Sequence, residues 1–218
     1  MNRLFTYGCS FTNGNGCFSY EPYYKKYKKS KSDKIWTKIV AEEFDLELKN
    51  YSLGRNSNDK IIDSMIRTFD EVNSGDYVII QKTFSHRFDI ENRLTNKEMD
   101  YLNNPVTVTP VPEDMFKSAG YNSIESEHIM NTLTYMDCDI IRKRFDDRFN
   151  FFKKLFLSKG VKKCIIWNVL DYDNKFQTIH NATNGKIHDT HWSFEGHKIF
   201  AKKMIDMINN PMLDKKII

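Results

Sequence analysis

Cysteine is scarce in this sequence and never closely paired. Cys9, Cys17, Cys138 and Cys164 are the only four in 218 residues, and no C-x-x-C pair occurs among them. That spacing gives no support to a zinc or dithiol redox motif and leads us to expect four reduced thiols in a cytoplasmic product. Long apolar runs are also missing, since none approaches the roughly 20 residues that cross a bilayer as a helix, so no membrane partner is expected. The first ten residues, MNRLFTYGCS, hold one Arg and a short β-like stretch where a secretory leader would need a longer apolar region. Neither sign of charge dominates. A net charge of +4 is modest, and by itself it does not call for nucleic acid.

What is present describes a globular chain. Hydrophobic residues make up 40%, aromatics 14% and charged residues 28%, and the length suits one domain, residues 1–218, able to bury a core without staples. Leu4 to Tyr7 is an apolar run ending in Gly8, the pattern of a buried first strand. Ser32 and Asp33 predict a helix start, with Ile35, Trp36, Ile39, Val40 and Phe44 on one face. LELKNYS, Leu46 to Ser52, alternates as a strand does. Ser57 and Asp59 then open a second amphipathic stretch, striped by Ile61, Ile62, Met65, Ile66 and Phe69 and stopped at Asn73 to Gly75. DYVIIQK, Asp76 to Lys82, predicts a strand buried on both faces.

From about residue 84 to 123 the periodicity dissolves into a loop-rich insertion, in which NNPVTVTPVPEDM carries three prolines. A long helical region follows from about Ile124, with Ile141, Phe145, Phe149, Phe152 and Phe156 on one face and Gly160 as its C-cap. VKKCIIWNVL, Val161 to Leu170, predicts a further strand, and Ser193 to Asn210 a last helix. Strands alternating with helices predict an α/β fold, a mostly parallel sheet covered on both faces. In such sheets ligands sit beyond the carboxyl ends of the strands, so Ser10, Gly54, Thr83 and Asp171 are expected on one rim.

Two segments carry chemistry at opposite ends of the chain. LFTYGCSFTNG delivers Ser10, and DTHWSFEGH supplies Asp189 and His191, two apart in an extended loop so that both can face the rim. Serine needs an imidazole to take its proton and a carboxylate to hold that imidazole in the right tautomer. Other uses of these residues are open. Cys9 could serve as a thiolate nucleophile, and His188, Asp189, His191 and His197 could hold a metal ion. YEPYYKKYKKSKSDK, Tyr20 to Lys34, interleaves Tyr with Lys as a nucleic-acid or acidic-glycan grip would, or as a solvated loop ahead of a helix.

In order, the GCS block, the NYSLGRNSND stretch and the DTHWSFEGH block resemble those of the SGNH/GDSL hydrolases. The resemblance implies a three-layer α/β/α sandwich with a mostly parallel, flavodoxin-like sheet. It also implies a serine esterase needing no cofactor, with Ser10, His191 and Asp189 as nucleophile, base and acid. Gly8-Cys9-Ser10 matches the family's Gly-Asp-Ser, and Gly54 matches its second-block glycine. The backbone N–H groups of Ser10 and Gly54 would form an oxyanion hole, where such donors are typically worth about 2.7–4 kcal/mol each. Two positions depart from the pattern: Cys9 replaces the first-block Asp, and QKTFSHRFD stands where the family has G-x-N-D. Thr83 or Gln81 would then supply the third donor, with Asn56 and Asn58 near Gly54 as alternative suppliers. His86, Arg87 and Trp192 are expected at the substrate, an acylated small molecule or glycan, with O-acetyl carbohydrate the favoured class. The same triad would serve an acyltransferase, and a chain that had lost turnover would be a binding or structural module.

Overall fold

A computed structural model describes residues 1–14, 35–54, 56–85, 87–90, 106–108, 120–134, 138–169, 180–181, 188–189, 192 and 194–210. Its centre is a parallel sheet of β1 (Arg3–Tyr7), β2 (Glu47–Asn50), β3 (Tyr77–Lys82) and β6 (Lys163–Asn168), in the order β2-β1-β3-β6. The register pairs Leu4 with both Leu48 and Tyr77, and Ile79 with Ile165. Side chains alternate across the sheet. Leu4, Ile79, Ile165 and Trp167 share one core with Trp36 and Val40 of α2 (Trp36–Glu43) and with Phe200 and Met204 of α6 (Phe194–Asn209). Phe5, Tyr7, Val78 and Ile80 share the other with Ile61 and Met65 of α3 (Asn58–Thr68) and with Phe149 and Phe156 of α5 (Cys138–Ser158). The result is the expected three-layer α/β/α arrangement. Burial on both faces explains why β3 reads as a nearly continuous apolar run.

Most expected elements form, with shorter ends. Ser57 caps α3 as predicted, its side-chain oxygen accepting the Lys60 N–H at 3.1 Å. Gly160 follows α5 at φ +83°, where a β-carbon would also meet Ser74 Oγ at 2.8 Å. Helix α2 differs at its start. Ser32 and Asp33 lie outside the described residues, Ile35 is the N-cap, and the Trp36 N–H is met by His197 Nδ1 at 3.4 Å instead of a capping side chain.

The helical region expected from Ile124 is two helices, α4 (Ser123–Thr134) and α5. The loop-rich insertion holds an antiparallel ribbon, β4 (Phe88–Ile90) against β5 (Val106–Val108). Pro105 and Pro110 flank β5 in sequence, and a V-T-V core is too short to give a period. A second small ribbon pairs β7 (His180–Asn181) with β8 (His188–Asp189), setting His180 opposite Asp189. No helix among the described residues is long and apolar enough to cross a membrane.

Candidate active site

The sheet order creates the crevice. The chain leaves β1 toward α2 on one face, whereas it leaves neighbouring β3 toward α5 on the other, so the carboxyl ends of β1 and β3 flank a topological switch point. Ser10 opens the short helix α1 (Ser10–Asn13) directly beyond β1 and is 5% exposed. Cys9 is extended, and its carbonyl accepts the N–H groups of Thr12 and Asn13, both at 3.0 Å, which closes the turn.

Gln81 holds this turn from below. Fully buried near the end of β3, it accepts the Cys9 N–H at 3.0 Å and the Thr12 hydroxyl at 2.5 Å through Oε1, while Nε2 donates to Cys9 Sγ at 3.0 Å. Gly8 makes room for it. A β-carbon at Gly8 would lie 2.5 Å from both Gln81 Oε1 and Thr12 Oγ1. Two expectations change here. Gln81 is not placed as an oxyanion donor, because its carboxamide is spent on the turn that carries Ser10. Cys9 is wholly buried with its sulfur accepting from Gln81, so it is not presented as a nucleophile.

The loop that carries Gly54 is tied to the same point. Gly8 O accepts the Leu53 N–H at 3.4 Å and Asn56 Nδ2 at 3.0 Å, drawing the residues on both sides of Gly54 against the end of β1. Asn56, expected as an oxyanion donor, therefore commits one amide hydrogen to the backbone. Thr83 is also fixed. Asn58 accepts its N–H at 2.8 Å and donates to its carbonyl at 3.1 Å, spanning the start of α3 and the end of β3. Thr83 Oγ1 accepts Arg87 Nη1 at 3.1 Å, which leaves the hydroxyl hydrogen as the donor.

Beside them Asp89 accepts the Ser57 hydroxyl at 2.5 Å and faces Lys60 Nζ at 3.9 Å. Burial lowers the Lys60 ammonium pKa, with the Asp89 charge working against it.

The C-terminal segment meets the site through Trp192. Expected at the substrate, Trp192 is instead 1% exposed and packs on Trp167 and Phe200, with its edge against Phe11, the residue after Ser10. Its indole is an anchor for the chain beside it, with no face left for a ligand. His197 lies in the same core, touching Trp192 and accepting from Trp36, which removes one nitrogen from any metal set. Asp189 is described as part of β8, without its side chain, while His191 and His86 lie outside the described residues. Among the described residues no three His, Cys, Asp or Glu side chains group as a metal site would.

Pattern reading raised Gln81 and Asn58 as donors and His197 as a metal ligand, but it did not reveal the buried hydrogen bonds by which they hold this region together. Gln81 left a trace, a polar residue inside an otherwise apolar strand.

No protein-family model matches the chain, and no curated protein matches it. Solved structures similar to it include two of bacterial proteins. One is of a protein assigned to the lipolytic G-D-S-L family from Desulfitobacterium hafniense DCB-2, at 14% identity and TM-score 0.39, covering 94% of this chain and 98% of that one. The other is of protein YxiM from Bacillus subtilis, at 11% identity and TM-score 0.36, covering 94% of this chain and 42% of that one. This chain thus spans less than half the length of YxiM.

Proposed function

We propose that the protein is a serine hydrolase of the SGNH type that cleaves acyl esters through an acyl-enzyme, with O-acetyl groups on carbohydrate as its favoured substrate class. The observation that carries this reading is the contact of Phe11 with Trp192, at 5.3 Å between ring centroids. Phe11 follows Ser10 and Trp192 follows His191, so this contact joins segments 181 residues apart, which supports a meeting of nucleophile and base. Ser10 Oγ attacks the carbonyl while His191 takes its proton. His191 then returns the proton to the leaving alcohol, and Asp189 orients the ring and stabilises its charged form. The N–H groups of Ser10 and Gly54 receive the oxyanion. Thr83, whose hydroxyl hydrogen is left to donate, is better disposed than Asn56 to replace the family's Asn.

Reaction with a fluorophosphonate tests this directly. The expected outcome is one label, on Ser10, absent from Ser10→Ala and accompanied by hydrolysis of p-nitrophenyl acetate. An unlabelled wild-type protein that leaves short p-nitrophenyl esters intact would overturn the proposal.

A further inference from the structure

Arg87 is built into the rim as a cation with no counter-ion among the described residues. Its Nη1 donates to Thr83 Oγ1 at 3.1 Å and to the Asn56 carbonyl at 3.4 Å, both neutral acceptors. Its guanidinium carbon lies 4.8 Å from the centroid of the Phe84 ring, which holds the plane against an aromatic face. No described carboxylate forms an ion pair with it. Asp89, two residues on, is engaged instead by Ser57 and Lys60. The Arg87 Nε is buried and has no hydrogen-bond partner among the described residues.

A half-buried guanidinium in this state carries a desolvation penalty that its neutral partners only partly offset. A guanidinium is the side chain that suits a carboxylate, sulfate or phosphate through charge-assisted hydrogen bonds, and Arg87 keeps part of its surface exposed. The position is also specific. Asn56 bridges Arg87 and Gly8, since its carbonyl accepts from Arg87 and its side chain donates to the Gly8 carbonyl, two residues before Ser10.

We infer that Arg87 anchors an anion subsite beside Ser10, so that the preferred esters carry a negatively charged group close to the scissile bond. The ester identity of the ligand rests on the hydrolase proposal above; the anion subsite itself rests on the Arg87 geometry. A charge on the acyl side and one on the alcohol side would use the same chemistry.

Two matched ester pairs separate these sources: p-nitrophenyl hydrogen succinate against its methyl ester, and 4-acetoxybenzoate against 4-acetoxybenzamide. Each kcat/KM is divided by the hydroxide-catalysed rate of the same ester. For at least one pair the charged ester is expected to lead by ten-fold or more in the wild type. That lead should fall at least ten-fold in Arg87→Ala and be partly kept in Arg87→Lys, with circular dichroism showing both variants folded. The subsite is overturned if neither pair favours the charge, or if the preference survives Arg87→Ala.

Calorimetric binding of the same four compounds to Ser10→Ala and to Ser10→Ala/Arg87→Ala reads the subsite without turnover. Charge-selective binding that depends on Arg87, together with a wild type that hydrolyses none of the four esters, would sustain the subsite and end the hydrolase proposal. Equal binding of charged and neutral partners would end the subsite alone.

Discussion

The ring of Phe11 meets the indole of Trp192 edge-on, with 5.3 Å between centroids and 62° between planes. This contact joins the turn after β1 to the segment that precedes α6. Edge-to-face aromatic pairs typically add about 0.5–1.5 kcal/mol to the burial of their surfaces. Here the pair also fixes position, because each ring is one residue from a proposed member of the triad.

Trp192→Ala is therefore expected to do two things. Loss of an indole packed on Trp167, Phe200 and Phe11 should lower stability by about 3–5 kcal/mol, read as a shift in urea midpoint. At a temperature where the variant remains folded, kcat for a p-nitrophenyl ester should drop more than KM changes, since the bound base is displaced while the pocket stays. Trp192→Phe should keep most of both. An unchanged kcat in folded Trp192→Ala would show that the placement of His191 does not depend on this contact.

Trp192 also shows which part of the site sequence alone could reveal. Its place beside His191 made it a candidate for substrate, because adjacency in sequence is visible and burial is not. The strands and the helices that cover them were legible because Ile, Val and Phe recur at periods of two or 3.6. Ser10, Gly54 and Thr83 could be assigned to one rim for the same reason, as each follows a strand. The hydrogen bonds that hold the rim were not legible. Gln81 to Cys9 spans 72 residues and Trp36 to His197 spans 161, and no local pattern encodes such pairs. The β4–β5 ribbon escaped notice on different grounds: three-residue strands carry too little alternation to stand out from a proline-rich loop.

Gln81 and Gly8 form a second testable unit. Gly8→Ala would force its β-carbon to within 2.5 Å of Gln81 Oε1, so either the carboxamide or the end of β1 has to move. Overpacking of this kind costs about 1–3 kcal/mol. Gln81→Leu keeps the volume but leaves the Cys9 N–H buried without this acceptor, which also costs about 1–3 kcal/mol. Both variants should lose labelling by fluorophosphonate at a rate out of proportion to their change in urea midpoint, because the turn they disturb aims Ser10. Labelling at the wild-type rate in Gln81→Leu would show that α1 holds its own geometry.

At the opposite end of the sheet, Asp76 predicts an acid-dependent loss of stability. Its Oδ1 accepts the Arg3 N–H at 2.8 Å, and its Oδ2 accepts Arg3 Nη2 at 2.7 Å and the Asn73 N–H at 2.9 Å, tying the starts of β1 and β3 together. Burial pushes the carboxyl pKa up, but the hydrogen bonds from the Arg3 side chain and from the Asn73 and Arg3 backbone, with the Arg3 charge, outweigh it. The folded value lies below the usual one. A carboxylate depressed by folding contributes fully above its unfolded pKa of about 3.9, and the contribution fades as pH falls through the lower folded value. Asp76→Asn should therefore be about 2–4 kcal/mol less stable than wild type at pH 7, by urea denaturation. The gap should hold to about pH 5 and narrow toward pH 3 as the wild-type carboxylate takes up its proton. A gap that stays constant from pH 7 to pH 3 would place the acid sensitivity in other carboxylates.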